Sequence, residues 1–170
     1  MTWEIDQRLA PFIVVAEVER GDRFVGGLFR RKFGTPPPAF GHHLIAFHAP
    51  GDGSFVPAAY LHLWTKATIG FVGGGCTDGN VIRSMPFDRR ARIQQADGLL
   101  RQMLGFCFTK FEGDLEAFFG HCGNARAKAV DLRAGFRETR VPYLLVRPNR
   151  PLDAQRMDEL LREAQAVGKF

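Results

Sequence analysis

The sequence contains no CxxC pair, no HExxH and no long block of lysines and arginines. Those absences leave no zinc-ribbon or metalloprotease signature. No run approaches the roughly 18 uninterrupted apolar residues that mark a membrane-spanning helix. The first residues, MTWEIDQRLAPF, lack a positively charged leader followed by an apolar stretch, so a cytoplasmic protein without a membrane partner is expected. Cys76, Cys107 and Cys122 are odd in number and widely spaced, which argues against a disulfide scaffold. There is no internal repeat and no low-complexity tract. Tyrosine and tryptophan are scarce, two of each, against sixteen phenylalanines. The aromatic surface is therefore almost wholly apolar, suited to a core or an apolar channel.

What is present fits one α/β domain over residues 1–170. That length is enough for one well-packed core and short for two. Hydrophobic residues at 45% and charged residues at 24% are ordinary for a globular protein. The net charge of +5 favours anionic partners without choosing among RNA, a membrane surface and a phosphorylated cofactor.

Extended segments are expected at 12–18 (FIVVAEV), 43–48, 55–64 and 69–72, the second and third joined through PGDG. The glycines Gly73, Gly74 and Gly75 then make a bulge or turn, and VIRSM belongs to a further hairpin or distorted strand. A helix capped by Asp22 should carry Val25, Leu28 and Phe29, and should end before the prolines at 36–38. Leu100, Met103, Leu104, Cys107 and Phe111 recur at helical spacing, which predicts one helix over 94–111. A strand at 115–119, a helix at 124–134, a strand at 140–147 and a last helix opened by Pro151 complete the reading. Such alternation implies a single mixed β-sheet flanked by helices.

The most specific stretch is GHCGNARAKAVDLRAGFRET, residues 120–139. Asn124 can cap the helix start, and Gly135 can take the left-handed conformation that ends it, with Phe136 clasping Val130. Upstream stands Gln95-Ala96-Asp97-Gly98-Leu99-Leu100. If this marks an exposed helix start, its free backbone N–H groups and positive dipole would attract phosphate oxygens. Gly98 would leave that approach unobstructed. In a helix interior it costs about 1 kcal/mol relative to Ala. Arg89, Arg90 and Arg92 lie just upstream and could add attraction.

Together the two stretches resemble the GCN5-related N-acyltransferase (GNAT) superfamily. Asn124, Ala127, Gly135 and Phe136 match its NxxAxxxxxxxGF pattern, and Gln95 to Leu100 its QxxGx[GA] pyrophosphate loop. Resemblance extends over roughly 44–147, with its motifs confined to about 95–139. It implies an acyl-CoA N-acyltransferase-like fold and a cofactor such as acetyl-CoA held by Gln95, Ala96, Asp97, Gly98, Leu99, Asn124 and Ala127. In the family an extended strand exposes peptide groups to pantetheine. Here Gly73–Gly75 compete for that role with the segment carrying Ile82, Arg83 and Met85.

Two positions depart from the pattern. Leu100 stands where Gly or Ala is usual, and Asp131 where many members carry a general-acid Tyr. An ionised carboxylate cannot donate the proton a thiolate needs. Tyr143 is an alternative acid, and His62, Asp78 and His121 are candidate bases. Cys122 beside His121 is not read as a catalytic pair, because neighbours on a strand face opposite sides. The expected activity is acyl transfer, with acetyl favoured, from acyl-CoA to a small-molecule or peptide amine. A non-catalytic acyl-CoA-binding or protein-interaction domain is the alternative. RNA-directed acylation or RNA binding, suggested by Arg126, Lys128, Arg133, Arg137 and Arg140, is another. A homodimer is left open.

Overall fold

A computed structural model describes residues 5–170. Among the described residues, seven strands form one sheet in the order β1-β2-β3-β4-β5-β7-β6. They are β1 (Ile13–Glu17), β2 (His42–His48), β3 (Val56–Lys66), β4 (Ile69–Thr77), β5 (Ala117–His121), β6 (Arg137–Glu138) and β7 (Leu144–Pro148). Every neighbouring pair is antiparallel except β4–β5. A parallel pair needs a long crossover, supplied by α2 (Gly79–Ser84), α3 (Phe87–Gln95) and α4 (Leu99–Phe111). The remaining helices are α1 (Gly21–Phe33), α5 (Ala125–Arg133) and α6 (Ala154–Val167).

Period-two alternation sorts side chains onto two faces. On one, Leu61, Leu63, Val72 and Phe118 meet Met103, Leu104 and Cys107 of α4, together with Ala134 and Phe136 just beyond α5. On the other, Phe71, Ala117, Phe119 and Val146 meet Leu160, Leu161 and Ala164 of α6. There too Ile45, Tyr60 and Cys76 meet Val25, Leu28 and Phe29 of α1. Each fully buried Leu contributes about 1.5–3 kcal/mol, so both layers stabilise the sheet. Glu116, just before β5, accepts hydrogen bonds from Thr68, Arg150 and Arg156. These donors hold its carboxyl down to about 2, and they fasten the start of α6 to the sheet.

The mixed sheet is as expected, but five local expectations change. The predicted 94–111 helix is two helices. Asp97 (φ +63°) and Gly98 (φ +85°) break the α-helical path between α3 and α4. The strand expected at 69–72 runs on to Thr77, and Gly73–Gly75 form the bulge the sequence allowed, with one extra residue opposite β3. Ile82 and Arg83 lie in helix α2 and Met85 caps its end, so this segment is not an extended strand. There Asp78 accepts from the backbone N–H groups of Asn80 and Val81 and nucleates a helical turn. Asp22 lies inside the first turn of α1 and pairs with Arg20, which holds the cap position instead. Asp153, not Pro151, sets the start of α6, accepting from the Arg156 backbone N–H at 2.7 Å.

Candidate functional site

The β4–β5 ladder ends at Val72 and Gly120. Beyond that point β4 stays with β3 as far as Thr77 opposite Ala59, while β5 stays with β7 through His121 opposite Leu144. The two parallel strands part, leaving a slot at their C-terminal ends. The bulge in β4 shapes its rim. Gly74 has φ +63°, and a Cβ there would stand 2.9 Å from the Phe29 ring. Only glycine suits both the backbone and the space. Gly73 and Gly74 turn toward the α1/α6 face, and Gly75 toward α4.

On the α4 face, Gly98 holds the N-cap position of α4 with no side chain capping the helix. The amides of Leu99, Leu100 and Arg101 therefore lack intrahelical acceptors. A Cβ at Gly98 would meet nothing within 4 Å, so this helix start is open. The preceding loop is firmly set. Gly98 N–H donates to Ile93 O at 2.8 Å, and the Gln102 side chain donates to Ala96 O at 2.7 Å. Ala96 and Leu99 bury their side chains, while the carbonyl of Gln95 accepts from Arg8. Asp97 is exposed, 4.0 Å from Arg133. Of the upstream arginines, Arg89 bonds to His48 and Ala49, and Arg92 pairs with Asp88. Leu100 reaches over Gly75, its Cδ2 3.6 Å from where a Cβ would stand. Leu100 therefore covers Gly75 at ordinary contact distance, and the pair narrows the slot.

The start of α5 adjoins it. Asn124 Oδ1 accepts from Ala127 N–H at 2.8 Å, as the sequence implied. The expected ending is also present. Gly135 (φ +98°) and Phe136 donate to the carbonyls of Leu132 and Asp131, the paired bonds of a Schellman motif. Between this helix and the β6–β7 turn lies a cavity of about 470 Å³, reached by Cys122, Asn124, Lys128, Thr139 and Tyr143 among others. Asp131 points at β5 and accepts a hydrogen bond from the Cys122 thiol. Burial and this carboxylate push the thiol up to about 12. Burial also raises Asp131. A thiol so held is a poor nucleophile, and Asp131 serves it as an acceptor.

His121 and Cys122 do face opposite sides, as strand geometry requires. The His121 ring lies 6.1 Å from Tyr143 and 6.2 Å from Phe170 on the α6 face. Tyr143 is exposed and holds φ +67°, and its carbonyl accepts from Cys122 N–H. A non-glycine residue in that region is strained and needs support. Thr139 provides it by donating through Oγ1 to Leu144 O.

The other candidates lie elsewhere. Buried His62 donates from Nε2 to Phe40 O at 2.7 Å, and burial lowers its basicity. Asp78 caps α2 and pairs with Arg31 at 2.7 Å. Both have structural partners: His62 stands opposite Gly73 beside the bulge with its Nε2 taken by Phe40, and Asp78 lies past the end of β4. Sequence reasoning missed Trp64, Phe71 and Phe170, which share the α6 face of the slot. The alternation in HLWTKATIGFV placed the first two on one face, but nothing local announced Phe170. Among the described residues no group of three His, Cys, Asp or Glu could hold a metal, and no helix is long and apolar enough to cross a membrane.

A mixed sheet with one parallel pair, flanked by helices, is an acyl-CoA N-acyltransferase-like arrangement. Solved structures bear this out. The chain is similar to the ribosomal-protein-S18-alanine N-acetyltransferase of Escherichia coli, with TM-score 0.53, 13% identity, and coverage of 84% of this chain and 97% of that one. It is also similar to N-acetylglutamate synthase from Neisseria gonorrhoeae, complexed with coenzyme A and L-arginine (TM-score 0.50, 14% identity, 81% of this chain). There the match spans only 33% of the longer chain. An apo nucleotide-linked-sugar GNAT matches with TM-score 0.50 and 12% identity over 92% of this chain and 96% of that one. Neither a family model nor a curated protein matches the sequence. At these identities the likeness establishes the fold, an acyl-CoA N-acyltransferase-like one in divergent form.

Proposed function

We propose that the protein transfers an acyl group, with acetyl favoured, from acyl-CoA to a primary amine. The observation that carries this is the uncapped start of α4 opening beside the parted ends of β4 and β5. The residues present suit the cofactor. The amides of Leu99, Leu100 and Arg101 offer three donors in one direction, and Gly98 leaves their approach free. When bound, acyl-CoA would supply a thioester carbonyl. Peptide groups of Gly73–Gly75 would line its pantetheine arm, in preference to Ile82 and Arg83 of α2 and Met85 at its end. Asn124 and Ala127 would border it from the start of α5.

His121 is the preferred base: it neighbours Tyr143 and Phe170 beside the slot, whereas His62, opposite Gly73, already donates to Phe40 O. Its imidazole can take a proton from an ammonium arriving on the α6 face. Tyr143, whose ring neighbours His121, is the preferred proton donor for a departing thiolate. Transfer within a ternary complex suits the site better than a covalent intermediate, since the Cys122 thiol is held protonated.

Incubation with acetyl-CoA and a panel of primary amines should release free coenzyme A in an amine-dependent manner. Absence of both turnover and coenzyme A binding overturns the proposal. A second reading, a non-catalytic acyl-CoA-binding domain, is favoured by Asp131 in the general-acid position and by Leu100 over Gly75. Tight binding without amine-dependent thiol release would select it. The RNA reading draws less support: Lys128, Arg133 and Arg140 pair with Glu138, Asp97 and Asp158.

A further inference from the structure

Gly168 (φ +81°) ends α6 and turns the chain back toward the sheet. Phe170 consequently lies across the bulge in β4. Its backbone carbonyl carbon is 3.4 Å from the point where a Gly73 Cβ would stand. Its ring meets Phe71 edge-on at 4.9 Å and 76°, and faces His121 at 6.2 Å and 74°. Trp64 stacks on Phe71 at 4.3 Å and 17°. The ring thus rests on an apolar aromatic floor in front of the slot, opposite the face where α4 presents its amides.

The two ends of α6 are held differently. Its first turn is fastened through Arg156 to Glu116 at 2.6 Å. Beyond Gly168, whose amide bonds to Gln165 O, residues 169–170 make no backbone or side-chain hydrogen bond to any described residue, and Gly168 and Lys169 are exposed. Among the described residues, the Phe170 ring is held by packing on Phe71 and beside His121, with its backbone against Gly73. Such contacts are non-directional, so a ligand ring can substitute for them.

We propose that Phe170 occupies the aromatic subsite of the amine acceptor, so that residues 168–170 form a displaceable plug. The substrate class is an amine joined by a short alkyl tether to an aromatic ring. Its ring would take the place of Phe170 on Phe71, and its nitrogen would lie between His121 and the slot. This inference rests on the acyl-transfer reading given above. The plug lowers apparent affinity by the fraction of molecules in which Phe170 is seated.

The test uses binding without acyl-CoA, in a Trp3→Phe background that leaves Trp64 as the fluorescent reporter. 2-Phenylethylamine and n-butylamine are titrated by calorimetry and by Trp64 emission into the parent, Phe170→Ala and Phe170→Leu proteins. The phenyl amine should change Trp64 emission saturably and bind Phe170→Ala at least about fivefold more tightly than the parent. Phe170→Leu should fall between them, and butylamine should show no such gain. Equal affinity of the phenyl amine for all three proteins, or binding that leaves Trp64 unchanged, overturns the inference. Plug behaviour without coenzyme A release would break only the acyl-transfer reading. Release with no preference for aromatic amines would break only this one.

Discussion

Two helices begin at the edge where the parallel strands end, and their beginnings are built in opposite ways. At α4, Gly98 offers no side chain to the free amides and the space before them is open. At α5, Asn124 folds back onto Ala127 N–H, and beneath it Cys122 and Asp131 satisfy each other. An unsatisfied helix start forgoes about 1 kcal/mol that a capping side chain supplies. The α5 start is therefore closed for stability, whereas the α4 start keeps its donors for something outside the chain. The contrast separates a site from a scaffold within one edge of one sheet.

The sharpest way to break that contrast is a matched pair of alanines. Gly98→Ala meets no atom but must adopt φ +85° with ψ 161°, a conformation costing roughly 1–3 kcal/mol for an L side chain. Relief of that strain would turn the α4 amides away. The affinity for coenzyme A, read by calorimetry, should fall by more than about tenfold. Gly123→Ala, beside α5, also meets nothing within 4 Å and has no left-handed backbone to preserve. It should leave affinity nearly unchanged and stability within about 0.5 kcal/mol. Equal effects at the two glycines would remove the distinction between the helix starts.

The closed start has its own signature. Asn124→Ala should lower unfolding free energy by about 1 kcal/mol, measured from the denaturant midpoint, because Ala127 N–H loses its acceptor. Its effect on coenzyme A affinity should stay well below that of Gly98→Ala. A larger effect on binding than on stability would make Asn124 a ligand contact first and a cap second.

This asymmetry was only half legible in the sequence. Asn124, Gly135 and Phe136 announced α5 because capping is local, decided by residues that touch within one helical turn. The break before α4 was hidden because Ile93, Leu99 and Met103 are all buried on one side, and an apolar stripe continues through the kink. Gly98 suggested a phosphate loop only through the family pattern. The slot itself was not legible. It depends on where the β4–β5 ladder stops, a matter of register between segments about fifty residues apart. Phe170 was invisible for the same reason: its position follows from the packing of α6 on Phe71, Phe119 and Val146, a tertiary fact with no local motif.

Beneath α5, the Cys122–Asp131 pair offers a finer test. The unfolded thiol titrates near 9.0 and the folded one near 12. Between those values the folded state keeps a proton that the unfolded state has lost. Stability should therefore decline as pH rises above 9. Asp131→Asn removes the neighbouring anion, which should lower the Cys122 value while burial still holds it raised. Iodoacetamide labelling of Cys122, followed by peptide mass, should then begin at lower pH than in the parent. An unchanged labelling profile would show that burial alone silences the thiol.

The smallest expected effect concerns the loop leading into α4. Asp97 brings a carboxylate to the approach of an anionic ligand, with Arg133 no nearer than 4.0 Å and both side chains at least half exposed. Neither α4 nor α5 has an acid in its first turn, so Asp97 is the carboxylate nearest the α4 start in the chain. Asn accepts the left-handed conformation of position 97 almost as readily as Asp, so Asp97→Asn should keep the loop intact while removing one repulsive charge. Exposure limits the gain, because solvent-screened pairs contribute no more than about 1 kcal/mol. Coenzyme A affinity should improve about twofold at low ionic strength, and the advantage should vanish near 1 M salt, where the Debye length shrinks to about 3 Å. A gain that survives high salt would assign Asp97 a steric role in the loop, and a loss of affinity would mean that the carboxylate itself orders the α4 start.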